Sequence, residues 1–291
     1  MHLTDFGELV KTLRQNSLDE NGNCLTRETI CERVHLTAHQ LGRLERGDRK
    51  YLDNQTLLLL ANSLNLTNLE RIEFLYAALG LTDKSGSDFI DPEWQLNNLC
   101  SALENLQVPA YIMDVYGDLL AINEANLALY QITPDMLDYF GKLPIGHNLM
   151  HIIYSSTLGY KDFLGEQAWR EVANMAMLFF RRSTLRYRHT DYFSFLIREL
   201  LNETSFDIDW YSSHRFNYQL DMTYEFISFK HPCHGPLSYI ITETAAATIK
   251  GNLYLMVNNP SDIATISAFS EMIGEHGNKV RRLAPWPEKQ F

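Results

Sequence analysis

LTRETICERVHLTAHQLGRLERG, residues 25–47, is the stretch that decides how the first part of this chain folds. Thr26 is a good N-cap, Glu28 and Glu32 put negative charge early in the helix that follows, and Ile30 and Val34 lie one turn apart on a single face. His35, Leu36 and Thr37 break that pattern. Thr37 then caps a second helix over 38–46, and Gly47 stands where a left-handed closing residue is wanted. Two short helices across a tight turn form the smallest element that enters a DNA major groove.

The apolar positions agree with that geometry. Ile30, Val34, Leu36, Leu41 and Leu44 make a small core, which turns Ala38, His39, Gln40, Gly42, Arg43 and Arg46 outward. Arg43 and Gln40 are side chains that pair bidentately with purine edges, whereas Arg27, Arg46, Arg49 and Lys50 are placed to meet phosphates. Thr37, Ala38 and His39, at the start of the second helix, complete the candidate DNA-contact set. Glu45 is expected to orient a neighbouring arginine.

The motif resembles the XRE and phage-repressor helix-turn-helix in Thr26-Arg27-Glu28, Ile30-Cys31 and Leu41-Gly42-Arg43-Leu44-Glu45-Arg46-Gly47. It departs from that family at Cys31, where a small alanine is usual, and at His35, where the turn commonly has glycine. Periodicity predicts flanking helices over 5–15 (Phe6, Leu9, Val10, Leu13), 54–64 and 69–79, giving a five-helix bundle. Residues 16–23, NSLDENGN, read as a polar loop.

Working outward, the chain of 291 residues is 45% hydrophobic and 21% charged, enough for two domains with proper cores. No apolar run has membrane-spanning length and the N-terminus is not a signal peptide, so a cytoplasmic protein is expected. Cys24, Cys31, Cys100 and Cys233 lack CxxC spacing, which fits a reducing compartment and gives no zinc site. The formal net charge of −11 argues against a generally basic DNA binder. The local field around the second helix is nevertheless positive, from Arg43, Arg46, Arg49 and Lys50.

A small, polar linker (82–91, within a boundary region drawn at 82–95) ends a first domain over 1–81 and opens a chain of different rhythm. Strands are predicted over 110–114 and 119–123, joined by Val115-Tyr116-Gly117-Asp118. Helices follow over 124–130, 167–181 and 192–202, then strands over 223–231, 237–244 and 252–257. This order implies an α+β fold: the helical bundle, then a PAS-like domain over 96–260 with a five-stranded antiparallel sheet and helices. Residues 261–291 are read as a C-terminal helix and an extended tail.

Individual residues bring the second domain close to one family. Pro109-Ala110-Tyr111-Ile112, Asp118-Leu119-Leu120-Ala121-Ile122-Asn123, Asn148-Leu149-Met150-His151-Ile152-Ile153-Tyr154, Trp169 with Val172-Ala173, and His231-Pro232 with Gly235-Pro236-Leu237 resemble the ligand-binding PAS domain of MmyB-like regulators. Glu70-Arg71-Ile72-Glu73-Phe74-Leu75 resembles the closing helix of their DNA-binding domain. Ile122 stands where such regulators usually have Trp. The resemblance implies an effector-binding regulator whose pocket takes a fatty acid or a similar apolar molecule, with no other cofactor.

The composition of this half is compatible with that expectation. Tyr111, Met113, Tyr130, Met150, Tyr154, Trp169, Met175, Phe179, Trp210 and Phe229 are candidate lining residues, to which Met136, Met177, Phe180 and Phe193 can be added. His147, Asn148, His151, Arg170 and His214 are candidate donors to a carboxylate head. The run RRSTLRYRHT (181–190) is either a second contact to DNA or lipid headgroups or a solvated loop. His231-Pro-Cys233-His234 reads as a structural histidine at a strand end, with no metal. Without a phosphate loop, HExxH helix or nucleophile elbow, an enzyme is not expected.

Two classes of function fit the sequence. One is a ligand-responsive transcription factor that binds a DNA operator as a homodimer. The alternative is a protein-interaction and dimerisation module with a degenerate helix-turn-helix. Arg43 and the arginines beside it favour DNA.

Overall fold

The protein is described by a computed structural model covering residues 3–19, 22–48, 52–80, 90–213, 226–273 and 278–289. The helical part comprises α1 (Leu3–Asn16), α2 (Arg27–Val34), α3 (Ala38–Glu45), α4 (Asn54–Ser63) and α5 (Asn68–Ala78). Side-chain caps start four of them: Thr26, Thr37, Asp53 and Thr67 each accept from the backbone N–H three residues on. Thr37 and Thr67 form full capping boxes with Gln40 and Glu70. Leu9, Ile30, Leu41, Leu60 and Phe74 close one core between these helices.

After α6 (Pro92–Asn105) come β1 (Ala110–Asp114), β2 (Leu119–Asn123), α7 (Glu124–Leu129), α8 (Pro134–Phe140) and α9 (Leu149–Tyr154). Next are α10 (Tyr160–Leu164), α11 (Glu166–Thr184), a 3-10 turn (Leu185–Tyr187), α12 (Asp191–Leu200) and α13 (Thr204–Ser212). The chain ends with β3 (Ile227–His231), β4 (Gly235–Ala246), β5 (Leu253–Pro260), α14 (Ile263–Ile273) and β6 (Val280–Arg282). All pairings are antiparallel, in the order β3-β4-β5-β1-β2-β6.

Among the described residues the sheet therefore has six strands and not five. Residues 280–282, read from sequence as part of an extended tail, pair with β2, Ala121 opposite Arg282 and Asn123 opposite Val280. A three-residue edge strand is too short to show the alternation by which strands are recognised. The sequence reading also gives no helix over α6, which begins at Pro92 inside the stretch drawn as linker.

The central strands are buried on both faces, which explains their unbroken apolar character. Ala110, Ile112, Leu120 and Leu255 point towards α6 with Leu96, Leu99 and Leu103. Tyr111, Met113, Ile122 and Met256 point the other way, towards the helical layer. Ile227, Phe229, Leu237 and Tyr239 extend that second face into the largest core, which α9, α11, α12 and α13 cover with Tyr154, Trp169, Phe180, Phe193 and Phe206.

Candidate nucleic-acid interface and ligand-binding interior

In the α2–α3 element the turn is closed by His35 in the left-handed region (φ 58°), so the residue in the customary glycine place adopts the glycine conformation. Gly47 closes α3 with φ 75°, its N–H donating to the Leu44 carbonyl at 2.9 Å. Ala38, His39, Gln40, Arg43 and Arg46 are exposed along one side of α3.

The structure corrects one assignment on this face and gives others their partners. Gly42 is buried and not outward. Gln40 spends its Oε1 on the Thr37 N–H at 2.9 Å, so half of its amide serves the cap. Glu45 is buried and accepts from Arg14 Nε at 2.7 Å and Arg27 Nε at 2.8 Å, so it orients two arginines from outside its own helix. That pairing ties Arg27 to the bundle, although its side chain keeps partial exposure. Arg46 is held by Asp48 at 3.0 Å. Arg43 keeps an exposed guanidinium whose contact among the described residues is the Asp48 carbonyl at 3.3 Å. Arg49 and Lys50 lie outside the described residues.

The second candidate site is the layer between sheet and helices. Met150, Tyr154, Trp169 and Trp210 lie in its main core, with Phe229 from β3 and with Tyr130 and Met175 packed against it. Tyr111, Met113 and Phe179 belong to the adjoining cluster. Trp169 is fixed by an indole N–H bond to the Ile153 carbonyl at 2.7 Å, and Lys161 and Arg170 lie over its ring at 4.3 and 4.5 Å. Phe229 also forms part of a shallow groove with Leu237, Pro236 and Asp262.

At the centre of this layer four phenols converge: Tyr111 on β1, Tyr130 at the end of α7, Tyr160 on α10 and Tyr239 on β4. The Tyr130 and Tyr239 hydroxyls are 2.7 Å apart, and the Tyr130 and Tyr160 rings 5.5 Å apart. Burial raises the pKa of all four, and the neighbouring phenols raise it further for Tyr111, Tyr160 and Tyr239. They are neutral donors at any physiological pH. Tyr160 and Tyr239 were missed in the sequence. Their only local signal is their residue type, and the tertiary fold alone brings them to Tyr111 and Tyr130.

Of the predicted head-group donors, Asn148 and Arg170 are committed to protein partners, whereas His147 and His151 each keep a buried ring nitrogen without one among the described residues. Asn148 is buried and staples the β1–β2 hairpin, donating from Nδ2 to the Tyr116 carbonyl (2.8 Å) and to Asp118 Oδ1 (2.7 Å). Burial pushes the imidazoles of His147 and His151 down, which leaves them uncharged at neutral pH. Arg170 is paired with Asp209 at 3.0 Å, and His214 lies outside the described residues.

The basic run 181–190 is neither a solvated loop nor an open patch. Arg181 and Arg188 are buried and converge on Glu70 of α5, which is 0% exposed. Arg181 Nη2 donates to Glu70 Oε2 at 3.1 Å and Arg188 Nη2 to Oε1 at 2.5 Å. Arg181 Nη1 also donates to the Trp210 carbonyl at 2.7 Å, and both guanidiniums stack on the Trp210 ring, 4.8 and 4.9 Å from its centre. Burial alone raises the Glu70 pKa, but the two guanidiniums outweigh it and hold the carboxyl down to about 2. Arg186 pairs with Glu73 at 3.1 Å, and Leu185 inserts into the core of the helical part. Trp210, read as a lining residue, is therefore also part of the junction between the two halves.

His231 accepts on Nδ1 from the N–H groups of Cys233 (3.1 Å) and His234 (3.2 Å), as a strand-end structural histidine does. Among the described residues no three His, Cys, Asp or Glu side chains gather to hold a metal ion, and no helix is long and apolar enough to cross a membrane.

The helical module packs through α5 on α11 and the 3-10 turn of a domain whose antiparallel sheet lies under helices with an aromatic interior between them. The sequence over residues 97–271 matches the model of the MmyB-like transcription regulator ligand binding domain. The match takes in more than half of the chain, which belongs to that family. No curated protein sequence matches it.

Proposed function

We propose that this chain is a ligand-responsive DNA-binding transcriptional regulator. In this reading α1–α5 form an XRE-type helix-turn-helix domain with α3 as the reading helix, and the sheet-based domain is a PAS-like sensor for a fatty acid or similar apolar molecule. A homodimer on a two-fold operator is the working assembly, because one small reading helix buries too little surface for tight binding. The protein acts in the cytoplasm, without catalysis or a cofactor beyond its effector.

The observation that carries the reading is the dual role of α11. Trp169, Val172, Ala173, Met177 and Phe180 on this helix belong to the aromatic interior, and Arg181, one residue further, grips Glu70 of the helical module. Any ligand that repacks the interior moves the helix that holds the reading domain. In the interior the four-tyrosine cluster is the best-built recogniser of a carboxylate, since phenols donate strongly to an anion without bringing a buried charge of their own.

The test is a titration of labelled operator against lipid-loaded and lipid-stripped protein at one salt concentration. Lipid is expected to change operator affinity by about 5- to 150-fold, and operator to change lipid affinity by the same factor. Identical dissociation constants would remove the sensor role. Failure to shift any genomic fragment at low salt would favour the interaction-module alternative.

A further inference from the structure

The C-terminal segment ends in a site that the regulator reading does not use. β6 runs antiparallel to β2 and so carries the chain back towards the β1–β2 turn, with the Leu283 N–H donating to the Leu120 carbonyl at 2.9 Å. Trp286 packs on the α6 side of the sheet. Lys289 then places its ammonium between the Oδ2 atoms of Asp114 and Asp118, 2.5 Å from the latter. The ammonium also lies over the rings of Tyr192 and Tyr116, at 5.0 and 5.5 Å from their centres.

The receiving groups are fixed by bonds that do not involve the tail. Asp114 Oδ1 accepts from the N–H groups of Tyr116 (2.9 Å) and Asp118 (3.1 Å). Asp118 Oδ1 accepts from Asn148, and its Oδ2 from the Tyr192 hydroxyl at 2.5 Å. Asp114 thus has one oxygen spent on the hairpin backbone and Asp118 one on Asn148, while the other two oxygens meet at a common point. The two tyrosine rings meet edge to face, 4.9 Å apart, and wall that point. Two nearly buried carboxylates this close need a cation or a shared proton, and here a cation fills the place. Two carboxylate oxygens walled by aromatic faces suit an ammonium group on an alkyl stem, which the faces attract as well.

We infer that Asp114, Asp118, Tyr116 and Tyr192 form a binding site for primary alkylammonium ligands, which Lys289 occupies in cis, so that amine binding and release of the C-terminal tail are one event. Tyr192 opens α12, directly after the segment whose Arg181 and Arg188 hold Glu70, so the exchange takes place beside the junction of the two modules. The site stands independently of the fatty-acid reading. A tethered lysine competes at an effective concentration of about millimolar, so the unmodified protein responds only to higher amine concentrations.

The test uses the full chain and n-butylammonium, which reproduces the lysine stem and its charge. Lys289→Ala is expected to melt below the unsubstituted protein and to be restabilised saturably by n-butylammonium, with half-saturation about tenfold or more below that of the unsubstituted protein. Neither n-butanol nor sodium chloride should do the same, and adding Asp118→Asn should abolish the response. Equal half-saturation in both proteins, or equal stabilisation by sodium chloride, would overturn the inference. Should Lys289→Ala not fold, cleavage after Lys289 by a lysine-specific protease provides the readout in the unsubstituted chain. Acceleration by n-butylammonium but not by n-butanol supports the site, and no acceleration refutes it.

Discussion

Replacing Glu70 by Gln tests whether the two modules are held together by charge. Gln keeps the shape, and its amide oxygen can hold the N3 place in the capping box, but its NH2 group cannot accept from the guanidinium that Oε1 serves, so the substitution removes the charge and one accepting atom together. The size follows from the structure. A carboxyl held at about 2 against an ordinary 4.5 contributes roughly 3 kcal/mol at neutral pH. Leaving Arg181 and Arg188 buried without their anion gives about 3–5 kcal/mol by an independent route. At roughly 2–4 °C per kcal/mol, calorimetry should show the junction-dependent transition falling by about 6 °C or more, or splitting off as a separate melt of the helical module. The pH dependence carries a definite sign. A depressed carboxyl stabilises the fold above pH 4.5 and loses that contribution as pH falls from 4.5 towards 2, so the unsubstituted protein should lose stability across that window more steeply than Glu70→Gln. A variant with an unchanged melting temperature and an unchanged acid limb would refute the charge-clamp argument.

Further expectations concern the two candidate sites. Arg43→Ala should cost about 1–3 kcal/mol in operator affinity and relax base preference, whereas Lys50→Ala should weaken binding to all sequences alike; equal losses on specific and random DNA in a mobility-shift titration would remove Arg43 as a base reader. Tyr239→Phe breaks the 2.7 Å hydroxyl pair with Tyr130. It should weaken binding of a fatty acid more than of the matching fatty alcohol in calorimetry, by about 1 kcal/mol or more, and equal losses would remove the cluster as a carboxylate recogniser. Trp169→Ala, at a position 1% exposed, should cost about 3–5 kcal/mol of stability in denaturant unfolding, and a loss below about 1 kcal/mol would contradict its place in the core. Asn148→Ala should destabilise the protein by about 1–3 kcal/mol through the hairpin staple while leaving lipid affinity unchanged, which separates the structural role seen here from a head-group role.

Local features are legible along the chain. Caps at Thr26 and Thr37, the apolar positions of α2 and α3 and the exposed side of α3 from Ala38 to Arg43 follow from spacing within a few residues, because helix periodicity and capping are short-range. The first two strands and the hairpin between them are legible for the same reason, as is the family resemblance of the second domain. Which charges are available depends instead on contacts between distant parts of the chain. Arg27, Arg181 and Arg188 read as free cations until Glu45 and Glu70, 18 and more than 100 positions away in sequence, are folded against them. The sixth strand and the seat of Lys289 depend on pairings between residues more than 150 positions apart. The convergence of Tyr111, Tyr130, Tyr160 and Tyr239 likewise requires two strands and two helices to meet. Burial and distance set how strongly charges and phenols interact, and neither is a property of spacing along the chain.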